Sequence, residues 1–238
     1  MGNESGEWIM HGIADSDPRC IHTMDEMIAY INKVGFLPLF QNEVPGFSVE
    51  EVTNDSFWWT GHERDPWLWR EKIARSHEAV YGRFFDRKNG FISLRWLPVF
   101  ANYRRNGYDF DALWDDELAG RREKLIMDCF PAGEEIPSYE LKERAGFGKG
   151  GEKNFDGIVT ALQMQLYLVT SDLQKKRKKN GEEYGWAVSL YRTPEALWGE
   201  LPRSAYREPP EKSLERILKQ MKKLYPKAAE ADIRKAVK

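Results

Sequence analysis

Apolar residues recur along this chain alternately at helical and at strand spacing, and the switches between the two periods mark out its elements. Met24, Met27, Ile28 and Ile31 share one face of a helix predicted over residues 23–35, and Thr23 with Glu26 has the form of a capping box. FLPLF (36–40) is apolar but broken by Pro38, and Ser48 with Glu51 repeats the capping-box pattern ahead of a very short helix. Asp65 is a good N-cap and Pro66 stands at the first helical position, where its missing N–H costs nothing; a helix is predicted from there to about Tyr81. In YGRFFDRKNGFISL, two aromatic and β-branched runs flank Asn89-Gly90, a strong hairpin signal. WLPVFANYRR (96–105) returns to helical spacing.

The second half repeats the scheme more completely. A helix is predicted over residues 115–130, with Asp115, Asp116 and Glu117 at its positive N-terminal end. SYELKERAGF (138–147) is a short helix, GKGG a turn, and residues 154–165 a helix with Phe155, Ile158, Val159, Leu162 and Leu166 on one face. LYLVTSDLQ and YGWAVSLY are strand-like and flank the charged run KKRKKNGEE. Helix, turn, helix, hairpin is the order of a winged helix-turn-helix. The predicted class is therefore α+β, mainly helical, with tandem winged helix-turn-helix units and small β-hairpin wings. The expected divisions are an arm (1–22), a first winged-helix-like unit (23–112), a second unit (113–202), and a linker with C-terminal helices (203–238). In the last segment Leu214, Ile217, Leu218, Met221 and Leu224 form an apolar face that must pack on the body or on a second copy, which makes a homodimer one expectation.

Composition narrows the classes. Hydrophobic residues make up 41% and charged residues 31%, enough for a core under a solvated surface. The net charge of −2 argues against a uniformly basic nucleic-acid binder but leaves room for a local basic patch. Cys20 and Cys129 are far apart and no zinc-ligand spacing occurs, so neither a metal site nor a disulfide framework is expected. There is no GxGxxG, P-loop or GxSxG, and GFGKGG lacks the Lys-Ser/Thr pair of a phosphate loop; no cofactor is expected. No apolar run approaches the ~18–20 residues of a membrane span, and the N-terminus lacks a signal-peptide pattern, so a cytoplasmic protein without a membrane partner is expected.

The sharpest candidate for binding is Lys175, Lys176, Arg177, Lys178 and Lys179 at the tip of the second wing, where adjacent cations would meet the DNA backbone; a solvated loop is the plain alternative. Lys149 in the glycine-rich turn and Lys153 beside the next helix extend that basic character. The helix itself is a poor base reader, since Gly157, Thr160 and Met164 face away from its apolar stripe and Asp156 would repel phosphate. Arg104 and Arg105, between Tyr103 and Tyr108, are further candidates for DNA contact, or else simply cations suited to a helix C-terminus. In the Trp-rich stretch 54–73, Trp58 and Trp59 with His62, Asp65 and Arg70 would form a stacking or acid/base pocket, unless the rings are core with paired charges at its rim.

SFWWTGHERDPWLWREKI, YGRFFDRKNGFISLRWLPVFANYRR, FDGIVTALQMQLYLVTSDLQ and KKNGEEYGWAVSLYRTPEALWG together resemble the AlkZ-related proteins, which are similar to the AlkZ/YcaQ winged-helix DNA glycosylases. The resemblance covers roughly residues 23–200; DPWLWR and GEEYGWAVS are its most specific parts. It implies a tandem winged-helix fold and a link to repair of damaged DNA. Those glycosylases carry a Gln-x-Gln or Gln-x-Asp pair in a Gly-x-Leu-Gln-x-Asp segment. The matching segment here is Gly35-Phe36-Leu37-Pro38-Leu39-Phe40, so Pro38 and Phe40 would occupy the catalytic positions, and neither activates water. Gln163-Met164-Gln165 has the right letters in a different place, while Gln41 and Glu43 are the candidates for a rebuilt catalytic pair. Three functions follow as expectations: a DNA-backbone binder that has lost the pair, a glycosylase with a rebuilt site, or a protein-interaction module.

Overall fold

The computed structural model describes residues 9–178 and 181–238, without the side chain of Arg177. Local chemistry fixes the first helix, α1 (Met24–Val34): the Thr23 hydroxyl accepts from the Glu26 amide, and the Glu26 carboxylate accepts in return from the Thr23 amide. A strand β1 (Phe36–Pro38) follows, then two single 3-10 turns. Helix α2 (Pro66–Ser76) is capped by Asp65 and stopped by His77, whose φ of 58° cannot continue a right-handed helix. The helix expected to reach about Tyr81 therefore ends at Ser76, and the chain is strand from Ala79 onward. β2 (Ala79–Phe85) and β3 (Lys88–Ser93) form a hairpin, β1 pairs with β3, and the antiparallel order is β1-β3-β2. Helix α3 (Leu97–Arg105) closes this half.

The hairpin turns elsewhere than Asn89-Gly90. Asp86 and Arg87, with φ of 46° and 63°, make the two-residue turn, and both expected turn residues lie inside β3. In this register Phe91 stands opposite Tyr81 on one side and Leu37 on the other, and all three are buried. Gly90 instead serves close packing, because a Cβ there would lie 2.5 Å from the Phe85 ring and 2.7 Å from the Leu37 carbonyl oxygen.

In the second half the helix expected over 115–130 is two: α4 (Phe110–Asp115) and α5 (Arg121–Met127). The acidic run falls at the negative end of α4, where it is unfavourable, and Glu117 leaves the helix with φ of 59°. Then come β4 (Ile136–Pro137), α6 (Ser138–Arg144), α7 (Phe155–Met164), β5 (Val169–Arg177) and β6 (Glu183–Arg192), with antiparallel order β4-β6-β5. The two sheets thus have the same topology: a short first strand pairs with the second strand of a hairpin. The chain ends in α8 (Pro194–Trp198), a 3-10 turn, α9 (Pro210–Leu224) and α10 (Glu230–Ala236).

Two core clusters occur among the described residues. One joins α1, the first sheet, α2 and α3, and also takes Ile217 and Met221 of α9 and Ile233 of α10. The apolar face that suggested a homodimer is therefore largely covered by the chain's own body. The other cluster gathers Phe110, Ile126, Phe130, Leu141, Val159 and Leu162 from α4 to α7.

The halves interlock reciprocally. At the end of α2, Arg75 bonds Asp172 of β5 at 3.0 Å, and His77 Nε2 lies 3.2 Å from the Ser171 carbonyl oxygen. On α7, the buried Gln163 Oε1 accepts from the Arg83 amide of β2 at 3.1 Å, while the Arg83 guanidinium donates to the Thr160 hydroxyl at 2.9 Å. Each helix that precedes a hairpin is thus bound to the first strand of the other hairpin.

Candidate nucleic-acid interface

The β5–β6 hairpin carries most of the basic residues singled out above. Lys175 is exposed beside a cleft shared with Glu71, Arg75 and Glu183. The Lys176 ammonium stands 5.0 Å from the centre of the Tyr139 ring, a cation–π contact that orients it without neutralising it. Lys178 is exposed and ion-paired to Glu182 at 3.0 Å. Lys179 and the Arg177 side chain lie outside the described residues.

The turn between α6 and α7 adds a second basic region. Lys149 and Lys153 are both exposed, and Lys153 lines a cleft of about 570 Å³ with Arg121, Arg122 and Arg144. Glu152 offsets two of these cations: it accepts from Arg121 at 2.5 Å and from Arg122 at 3.0 Å, which holds its carboxyl below the usual carboxylate range. Helix α6 links the two regions. Tyr139 touches Lys176 of the hairpin, Arg144 lines the cleft, and five residues of helix separate them by roughly 8 Å. Arg121, Arg122 and Arg144 were missed in the sequence because they come from two different helices and no linear run joins them.

Other expected contacts are excluded by burial. Arg104 is enclosed, and its guanidinium donates to the carbonyls of Phe84 at 2.6 Å, Met164 at 3.0 Å and Val237 at 3.1 Å. Burial pushes its pKa down to about 10, so it remains a cation at neutral pH. Arg105 is buried, donating to Glu195 at 2.5 Å, to the Tyr206 hydroxyl at 3.1 Å and to the Leu166 carbonyl. Both arginines hold the two halves and the C-terminal segment together, with their guanidiniums taken up by protein acceptors. The C-terminal half of α7 is likewise unavailable to a DNA groove, because Thr160 and Gln163 are buried against β2.

The Trp-rich stretch divides. Asp65 is buried and its carboxylate accepts from the amides of Trp59, Gly61 and Trp67, so it is a loop clasp with no free lone pair directed at a substrate. Arg70 is buried with its guanidinium 3.7 Å from the centre of the Trp67 ring. Trp58 is buried and bonds Thr53, whereas Trp59 and His62 are exposed. Phe40 packs on Trp58 and Trp67, and Pro38 lies in β1, so neither position offers a polar group.

The two candidates for a rebuilt pair have separate partners. The Gln41 backbone N–H donates to the buried Glu50 carboxylate, and the Glu43 carboxylate is ion-paired to Lys235 of α10. Asp15, Cys20 and His22 place one ligand-type atom each within 4.8 Å of one another. Their carboxylate is already bonded by Arg64 at 2.6 Å and His22 at 2.8 Å, and burial pushes the Cys20 thiol up, away from the thiolate a metal requires.

With this geometry in hand, the comparison with known families has a clear result: the profile of the family described as AlkZ related matches residues 21–238. The chain belongs to the AlkZ-related family. No curated protein and no solved structure gives a match. The matched region of this AlkZ-related chain includes both sheets, the basic hairpin and the C-terminal helices α9 and α10. Among its described residues no helix is long and apolar enough to cross a membrane.

Proposed function

We propose that this AlkZ-related protein is a tandem winged-helix protein that binds DNA through the phosphate backbone, using the β5–β6 wing and the turn before α7, and that the family's catalytic pair has been lost. The observation that carries this reading is the set of exposed Lys175, Lys149, Lys153 and Arg144 with the half-buried Lys176 beside Tyr139, while both helices that would read a groove are docked on the opposite hairpin. The order of helix, strand, helix and hairpin in the first half, and of helix, strand, two helices and hairpin in the second, supports the winged-helix reading, with units over 23–112 and 113–202. Cations held on a hairpin and a turn supply charge without base-edge geometry, so recognition is by backbone and shape.

The test is fluorescence anisotropy of a short labelled duplex at several salt concentrations. Replacing Lys175, Lys176 and Lys178 together by Ala should weaken binding and lower the salt slope by roughly two to three, with the larger share from the first two because Glu182 already neutralises Lys178. Unchanged affinity and slope in this variant would overturn the wing as a phosphate contact. No binding by the unaltered protein at low salt would overturn DNA binding altogether and leave a protein-interaction module as the successor. Release of abasic sites from alkylated DNA would overturn the loss of catalysis.

A further inference from the structure

Trp186 of β6 is 88% exposed, the most exposed large hydrophobic side chain among the described residues. Tryptophan is highly buried on average, so an indole left almost wholly in water is costly unless a ligand covers it. The backbone is built to put it there. The pairs Gln174 with Val188 and Lys176 with Tyr184 enclose one residue of β5, Lys175, but three of β6, residues 185–187. Trp186 is the middle residue of that bulge. Gly185, with φ of 72°, supplies a left-handed step that a residue with a Cβ rarely adopts. Ala187 packs on the first core cluster while Trp186 extends into solvent. Bulges of this kind re-aim a side chain, and they recur beside functional sites.

Charge determines what fits the indole. Lys175 stands across the bulge, Lys176 follows it on the same strand, and Lys178 lies just past the strand's end. Tyr184 and Tyr139 add two more exposed rings beside these cations. Flat aromatic surface among cations suits an anionic ligand with a planar, apolar ring: a nucleobase that has left its stack while its phosphates remain on the lysines. Bases within an intact duplex keep both faces covered by their neighbours. We propose that Trp186 is a stacking platform for an unpaired or extrahelical nucleobase, so that the protein prefers DNA interrupted by such a base over continuous duplex. This rests on the backbone-binding reading above and adds the substrate class.

The test uses the full chain with three labelled ligands of one length: a paired duplex, the same duplex with one unpaired nucleotide, and a single strand. The unaltered protein should bind the interrupted duplex on the order of ten- to a hundredfold more tightly than the paired one, the range that base–aromatic stacking supplies. Trp186→Ala should abolish most of that preference, and Trp186→Phe should restore part of it. Circular dichroism controls for folding, which truncation of so exposed a side chain should leave intact. A preference that survives Trp186→Ala overturns the proposal. Salt-dependent binding with equal affinity for paired and interrupted duplex overturns this inference alone and leaves backbone binding standing; no binding to any of the three overturns both. Trp186-dependent binding to phosphatidylserine vesicles without a preference for the unpaired base overturns it in favour of a lipid surface.

Discussion

Arg104 and Arg105 show how burial reverses the meaning of a charged residue. As letters, two arginines after a tyrosine suit a phosphate contact; in the fold their donors satisfy carbonyls and a carboxylate at the ends of other elements. Those acceptors would otherwise be desolvated and unpaired, which explains why cations are tolerated there. Gly90 makes the opposite point, since its place in an Asn-Gly pair suggests a turn while its function is to leave room. Gly90→Ala should destabilise the protein by about 1–3 kcal/mol, because the Phe85 ring and the Leu37 carbonyl must both yield. Urea unfolding measures this, and an unchanged midpoint would mean the ring moves aside freely.

The C-terminal helices illustrate what an amphipathic element leaves open. The heptad-like apolar face of α9 is plain in the sequence, and so is its need for a partner. The partner is α3 together with the rest of the first core; the buried Asn102 donates to the Ser213 hydroxyl at 2.9 Å, and Ile217 and Met221 are enclosed. Helix α10 is fastened by the pair between Glu43 and Lys235. The Lys235 hydrogen bond holds the Glu43 carboxyl below the usual carboxylate range. A depressed folded-state pKa means a contribution present at neutral pH and lost as pH falls through the lowered value. Glu43→Gln should therefore be slightly less stable than the unaltered protein at neutral pH and low salt, and equal to it in strong acid. Urea midpoints at both pH values decide this; a difference that persists in acid would assign the effect to packing. Because the pair is largely exposed, the neutral-pH difference should also shrink in high salt.

At the scale of the molecule, the reciprocal docking of α2 on β5 and α7 on β2 makes two small units into one cooperative body. Leu166, Val169 and Leu173 of the second half are built into the first core, so the larger core is complete only when both halves are folded. Thermal unfolding followed by far-ultraviolet circular dichroism and by tryptophan fluorescence should therefore give one coincident transition. Two separated transitions would show that the halves unfold independently.

Elements and their caps were largely determined by the sequence: Thr23 with Glu26, Asp65 with Pro66, the apolar stripe of α7 and both hairpins are read from residues close in the chain, because capping and amphipathic periodicity are local physics. Family membership was legible for the same reason, through short specific runs such as DPWLWR. Tertiary structure alone decided which charges face water. It withdrew Arg105, Asp65 and Arg70 into the interior, committed the Arg104 guanidinium to carbonyl oxygens, joined Arg121 and Arg122 to Arg144 across two helices, and moved the first hairpin's turn to Asp86-Arg87. It also turned Trp186, within a run read only as strand-like, outward at a bulge. Exposure and register depend on what packs against an element from far along the chain, and that long-range burial outweighs any local preference of turn or charge.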